Sequence, residues 1–584
     1  MSVFLKRGGL LIVVLMLASC RTGDSPTPTA SQLEQAVGVA ATSSAVNSLP
    51  MEISGVVVDE EGPVAGAVVR LQTTEFHAIS GADGRFNLTL EDYAAAPLNL
   101  TGWAPGYFCS GPFEAIPGER QVRVELVPHA VEDNPDYAWL PSLYHPGQGE
   151  DQGCAECHSR EGSSLPFPLP VDEWLLDAHA QSATNPRFLT MYNGTDLDGN
   201  RSPLTQRGAS RDYGTFPLAP DPSQPYYGPG YKLDFPDTDG NCAACHTPAA
   251  AVNEPYLTDP NDLSGVEAEG MPCDFCHKIW DVKLDPESGL PYENMPGVLS
   301  FEFLRPHDGH QFFAGPYDDV APGEDTYAEV QTQSAFCAPC HFGVFWNVTI
   351  YNSYGEWLAS PYSDPETGQT CQDCHMPPTG ATQFATDEAG GLTRDPATIF
   401  SHRMPGALDD ELLQDALEMS VLAEREGDDL LVTVGLYNDN TGHKIPTDSP
   451  LRHMLLVVEA YDMQGAPADL VEGPTLPDWA GEGEPSQGRY AGLPGKAYAL
   501  ILEELWTEIS PSGAYWNPTR VVADTRLDPY EEDFSRYRFW MPAEGGAEVR
   551  VRLYLRRAFI EMMDQKEWTD PDMLMAEQVM KISP

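Results

Sequence analysis

Basic charge is what this 584-residue chain has least of: 33 Lys and Arg stand against 88 Asp and Glu, a formal net charge of −55. Such a field repels phosphate backbones and anionic lipid faces, which excludes nucleic acid as a partner. The apolar run at residues 10–17 is far shorter than the ~20 residues a membrane-crossing helix needs. No H-E-x-x-H protease signature occurs. Turn formers, by contrast, abound: 51 Gly and 53 Pro, above the usual ~7% and ~5% of a chain. Few long helices are therefore expected, although a 41% hydrophobic and 10% aromatic content is enough to order most of the polypeptide. The length calls for several cores.

Lys6 and Arg7, the apolar run and then Ala18-Ser19-Cys20 have the layout of an export signal. Leu17-Ala18-Ser19-Cys20 resembles a bacterial lipobox, which implies a signal peptide over residues 1–19 and lipidation of Cys20. Residues 20–50, rich in Ser, Thr, Ala and Pro, read as a flexible tether. Arg21 follows the cysteine, so the Asp that retains enterobacterial lipoproteins at the inner membrane is absent. The expected location is outside the cytoplasm, with a lipid anchor at the outer membrane or cell surface, facing the periplasm or the exterior.

Twelve cysteines in an exported chain first suggest disulfides. Apart from Cys20 and Cys109, however, they fall into five Cys-x-x-Cys-His units: Cys154, Cys157 and His158; Cys242, Cys245 and His246; Cys273, Cys276 and His277; Cys337, Cys340 and His341; Cys371, Cys374 and His375. Two thiols at this spacing reach the two vinyl groups of one haem, and the adjacent histidine supplies a proximal imidazole to iron. Zinc sites use such pairs two at a time and five is odd; neither zinc nor disulfides require a histidine after every pair. Five covalent c-type haems are the expectation. Packing on these apolar bodies would order the turn-rich middle of the chain.

A haem that only passes electrons takes a second strong axial ligand, whereas a catalytic one keeps that position open. Nine of the 14 histidines remain for the role. His179, in a stretch read as a helix, one or both of His307 and His310, and His402 and His443 beyond the last attachment motif are candidate distal ligands. His145 is a further candidate. For each, a hydrogen-bonded surface or propionate-facing histidine is the alternative. His77, His129 and His453 lie on or beside predicted strands and read as structural.

The segments GNCAACHTPAA, EGMPCDFCHKIWD, SAFCAPCHFGVFWNVTIYNSYGEWLASPY and CQDCHMPP resemble multihaem c-type cytochromes of the cytochrome c552/c554-like group, from about Tyr144 to Gly406. The resemblance implies mostly bis-histidine haems in close pairs that act as an electron conduit. Short spacers suggest stacking of haem two on three and of four on five. No attachment motif ending in Lys, a mark of larger catalytic relatives, is present.

No Lys or Arg occurs from residue 306 to 393, where Asp308, Asp318, Asp319 and Asp373 lie. Negative surroundings favour ferric iron, so haems four and five are expected at the low-potential end unless a neighbouring domain supplies cations. The loops at residues 196–200 (DLDGN) and 237–241 (DTDGN) place oxygens at alternate positions, as calcium loops do; plain Asx turns are the alternative.

Alternating short segments over residues 51–128 predict a β-sandwich; Gly55, Gly62-Pro63, Gly66-Ala67 and Asp83-Gly84-Arg85-Phe86 resemble a carboxypeptidase regulatory-like domain, a spacer or docking module. Its Cys109 is either a free buried thiol or an intermolecular bridge. Alternation returns over residues 411–584, a second β-sandwich. The expected fold is multidomain: an N-terminal β-sandwich, an α/irregular multihaem core over residues 129–410, and a C-terminal β-sandwich. The expected function is electron transfer between a respiratory redox protein and an extracytoplasmic acceptor, with no bond chemistry of its own. Two alternatives stand beside it: a reductase of small inorganic nitrogen or sulfur compounds with one open haem, and a subunit of an extracellular haem filament or other oligomer.

Overall fold

The turn-rich sequence folds into short elements, longest where apolar and polar residues alternate. In the computed structural model the described residues are 51–90, 97–146, 153–307, 311–320, 323–542 and 545–583. The export signal, Cys20, the tether and His310 lie outside them. Residues from Met51 onward form one compact unit with separate apolar cores.

At its N-terminal end a three-stranded sheet (Arg85–Leu90, Met51–Val58, Val122–Glu125) and a four-stranded sheet (His77–Ile79, Val68–Leu71, Leu98–Trp103, Ser110–Ala115) share one core. Ile53, Val69, Leu88, Leu100 and Val124 are buried in it. Strict alternation of burial along Arg85–Leu90 is what a strand with one wet face produces. Cys109 is fully buried and its thiol pKa is raised by that burial. The free-thiol reading therefore holds, and the intermolecular bridge is corrected because the sulfur cannot meet another chain. These strands dock on residues 317–326: Arg70 pairs with Asp318 at 2.6 Å, and Asp319 accepts from Thr73 N at 2.7 Å.

The C-terminal region has a four-stranded sheet (Glu418–Glu426, Asp429–Tyr437, Glu532–Trp540, Asp469–Glu472) and a five-stranded one (Thr519–Asp524, Gly495–Glu504, His453–Asp462, Ala547–Arg556, Met573–Ile582). Val432, Leu456, Val551 and Leu553 are among the residues of their common core. The five-stranded sheet buries nearly every side chain of its central strand His453–Asp462. His453 is fully buried there, its ring 4.8 Å from that of Phe559, a packing residue as expected.

Between these regions the chain has single helical turns, 3-10 turns and two-stranded ribbons. Apolar clusters there are small, such as Ala243, Ala244, Phe275 and Phe301, or Ala338, Phe342 and Tyr354. Burial of so few side chains, each worth about 1.5–3 kcal/mol, does not offset the entropy of ordering a chain this long.

The loop at residues 196–200 is an Asx turn in which Asp196 accepts from Asn200 N at 2.8 Å; beside it the fully buried Lys566 Nζ donates to the carbonyls of Thr190 (3.0 Å), Thr195 (2.9 Å) and Pro229. In the loop at residues 237–241 Gly240 N donates to Thr238 Oγ1 at 3.1 Å and Lys232 Nζ to Asp239 at 2.9 Å. Among the described residues no group of three or more His, Cys, Asp or Glu converges in either loop, so nothing in them supports the calcium reading.

Chain produced without haem attachment should yield protease-resistant fragments from residues 51–125 and 418–582, with residues 140–400 degraded. Limited proteolysis with mass spectrometry and circular dichroism check this; a resistant fragment from the middle region counts against it.

Candidate functional site

Each Cys-x-x-Cys-His unit forms about one turn of helix: Ala155–His158, Ala243–His246, Cys273–Cys276, Ala338–His341 and Cys371–His375. Cysteines three apart share one face of such a turn. The last turn is fixed by a capping box in which Thr370 and Asp373 exchange hydrogen bonds. None of the ten motif cysteines is in a disulfide.

The motifs are not strung out singly. The thiols of Cys154 and Cys273, of Cys245 and Cys340, and of Cys337 and Cys371 lie close enough to perturb one another, so motif one abuts three, two abuts four, and four abuts five. Motifs two and three also share one apolar cluster, in which Ala243 and Ala244 pack with Phe275.

Three imidazole pairs define the site. His179 and His341 have ring centroids 6.2 Å apart, His277 and His402 6.4 Å, and His375 and His443 6.4 Å. Ring contacts elsewhere in the protein span 4.0 to 6.5 Å, so the spacing alone does not mark a metal. Two metal–nitrogen bonds of about 2 Å plus about 1.1 Å from each nitrogen to its ring centre give about 6.2 Å across a metal. The three gaps therefore have the width of one iron bound on both sides.

The ring nitrogens are assigned accordingly. His158 donates Nδ1–H to Phe384 O at 2.7 Å, His277 to Ala314 O at 2.8 Å, His375 to Pro405 O at 2.7 Å, His443 to Lys444 O at 2.9 Å and His402 to Phe400 O at 3.2 Å. His179 donates to Asp177 Oδ1 at 2.6 Å, and His341 Nδ1 lies 3.6 Å from Asp448 Oδ2. A donor engaged at Nδ1 leaves Nε2 as the basic nitrogen, the arrangement of a metal-ligating imidazole. Desolvation pushes His246, His402 and His443 each down to about 4, so at neutral pH they are uncharged, as a ligand must be.

His179 lies not in a helix but in turns after the helix Pro170–Trp174, because Asp177 binds its backbone N–H at 2.8 Å and breaks the helical pattern. His402 and His443 fold back over the middle region. His145 Nε2 is held by Glu269 at 2.6 Å, so that nitrogen is engaged by a carboxylate and not free for iron. His307 is exposed and faces none of the motif histidines. His129 is enclosed by Phe108, Trp280 and Phe312, a packing role. Among the described residues no second imidazole stands at the iron-sized spacing from His158 or His246; the rings beside them are Phe384 and Phe188.

Sequence reasoning missed Asp177 and Asp448, although both lie in the short segments, DAH and GHKIPTD, that carry His179 and His443. The loop at residues 442–448 contributes to two pairs at once, His443 to one and Asp448 to the other. It is pinned to the middle region by Glu356, which accepts from Lys444 N at 3.2 Å and Thr447 Oγ1 at 2.5 Å and pairs with Arg526 at 3.0 Å.

Zinc would require about four converging ligands; among the described residues no group of three or more His, Cys, Asp or Glu is so placed. A haem iron takes only two protein ligands, so the paired imidazoles and adjacent thiols fit haem.

No protein-family model matches the chain, and no curated protein does. Among solved structures, a penta-haem cytochrome c552 from Thermochromatium tepidum is similar with 18% identity and a TM-score of 0.49, over 74% of this chain and 97% of that one. A cohesin–X-dockerin complex from Acetivibrio cellulolyticus matches 13% of this chain and 58% of that one, with 15% identity and a TM-score of 0.11.

With haem bound, His179→Ala, His402→Ala and His443→Ala should each convert one low-spin haem to a high-spin form in optical and electron paramagnetic resonance spectra, while His307→Ala leaves the spectra unchanged. Three unaltered histidine variants would exclude these rings as ligands.

Proposed function

We propose that this chain is an exported pentahaem c-type cytochrome that carries electrons between a respiratory donor protein and an extracytoplasmic acceptor. The five Cys-x-x-Cys-His turns, together with three imidazole pairs 6.2–6.4 Å apart in which five of the six rings have Nδ1 anchored, carry this reading. Bound haem supplies one-electron exchange between ferric and ferrous iron. The protein's part is to hold it: cysteines fix the porphyrin edge, imidazoles with Nδ1 anchored occupy both axial positions, and those positions are thereby closed to substrate. The contacts of motif one with three, two with four and four with five give a path through neighbouring sites.

In the same reading residues 51–128 are a carboxypeptidase regulatory-like β-sandwich and residues 411–584 a second sandwich that clamps the haem core. Cys20 carries the lipid that tethers the protein to the outer membrane or cell surface. Assembly into a filament or oligomer is a further arrangement, open to measurement of particle size in solution.

A second reading rests on His158 and His246, which face no imidazole among the described residues. A haem with an open position there would make the protein a reductase of small inorganic nitrogen or sulfur compounds.

Mass spectrometry of the mature polypeptide should reveal five covalently added haems; no added tetrapyrrole mass would end the proposal. In the oxidised holoprotein the electron-carrier reading expects only low-spin ferric signals. A high-spin signal that shifts on adding nitrite or hydroxylamine would favour the reductase instead.

A further inference from the structure

The three imidazole pairs differ in what holds them. In two pairs every Nδ1–H goes to a backbone carbonyl: Ala314 and Phe400 for His277 and His402, Pro405 and Lys444 for His375 and His443. In the third, the Asp177 carboxylate accepts from His179 Nδ1 at 2.6 Å, and a second carboxylate, Asp448, stands 3.6 Å from His341 Nδ1, too far for a hydrogen bond. Asp177 is 3% exposed and also bound by the His179 amide, so its carboxylate is fixed. Asp448 adopts φ 68° at the end of the loop at residues 442–448, and Arg452 stands 3.9 Å from it.

We propose that Asp177 and Asp448 make the iron site of His179 and His341 the most reducing of the three paired sites. This rests on the haem reading above. A carboxylate is a stronger acceptor than a neutral carbonyl; it raises the basicity of the imidazole it holds, and the more electron-rich ligand stabilises ferric over ferrous iron. The broader charge argument, from the absence of cations over residues 306–393, does not separate the sites. Other segments supply Arg394 to Asp319 at 2.6 Å and Arg526 to Glu356 at 3.0 Å. Direct carboxylate contact belongs to one pair alone; at His443, His246 and His375 Asp177 and Asp448 act only at a distance.

That site also has its own spectroscopic mark. Its imidazole planes are 73° apart, against 23° and 18° in the other pairs. Near-perpendicular rings donate to two different iron d orbitals and leave them close in energy, which gives a strongly anisotropic low-spin signal; near-coplanar rings split them and give a rhombic one.

The test is a redox titration of the holoprotein followed by electron paramagnetic resonance, with haem content checked by mass. The anisotropic signal should be the last of the three paired-site signals lost on reduction. Asp177→Asn should shift its ferric/ferrous equilibrium about tenfold toward ferrous, a rise of about 59 mV for a one-electron couple. The rhombic signals should stay in place, and Asp177→Glu should keep the low midpoint. Asp448→Asn should act in the same direction and less, given its longer contact and Arg452. The proposal is overturned if the anisotropic signal is missing from haem-loaded protein, if it titrates at or above the rhombic ones, or if both Asn variants leave its midpoint unmoved. Absence of haem would instead defeat the underlying reading.

Discussion

Three imidazole pairs stand 6.2–6.4 Å apart with Nδ1 anchored in five of their six rings, and holding those rings in place is the constraint on which the irregular middle region depends. Here the separation is kept by hydrogen bonds at the outer nitrogens. Carbonyls of Ala314, Pro405 and Phe400 and the carboxylate of Asp177 hold the rings from behind, so each ring presents its other nitrogen inward. The arrangement recurs three times with partners from distant parts of the sequence. Much of the irregular middle region follows from it, since segments around residues 179, 314 and 402 must be brought to one place whatever their local preferences.

The C-terminal sheets take part in this directly. Their core is independent of the middle region, with Val432, Leu456, Val551 and Leu553 buried among themselves, yet one of their loops reaches two of the three pairs. Glu356 binds that loop at two points, Lys444 N and Thr447 Oγ1, and pairs with Arg526 beside it. On another side, Lys566 donates to carbonyls of Thr190, Thr195 and Pro229, and Arg187 pairs with Asp570 at 2.6 Å. Leaving one partner of a buried charged pair uncompensated costs about 3–5 kcal/mol, so this module is fastened to the middle region and does not swing as a free appendage.

How much of this could be read from the sequence depends on whether the signal is local. The Cys-x-x-Cys-His units are complete within five residues, and the alternation of Ala547–Arg556 is visible in its own letters. Both were legible. The orienting groups were not, because a backbone carbonyl such as that of Pro405 carries no side-chain signature, and Asp448 meets His341 across more than a hundred residues. The Lys566 Nζ that donates to Thr195 O beside residues 196–200 is equally invisible there, because it lies far along the chain and nothing near Asp196 announces it. His179 shows the intermediate case. Its local letters suggested a helix, and Asp177, two residues before it, is both the helix breaker and the group that orients the ring.

The net charge of −55 acquires a sharper meaning from these placements. Spread over an exposed surface it mostly governs solubility and encounter with partners, and salt screens it within about 10 Å. Asp177 and Asp448 differ in kind, because they lie against imidazoles in a water-poor setting where screening is weak. In the electron-carrier reading proposed above, carboxylates placed there bear on the iron site of His179 and His341 more directly than surface charge does. One comes from the turns after residue 174 and the other from a loop of the C-terminal sheets, so that site is complete only when both regions are docked, and Glu356 with Arg526 holds the second of them in place.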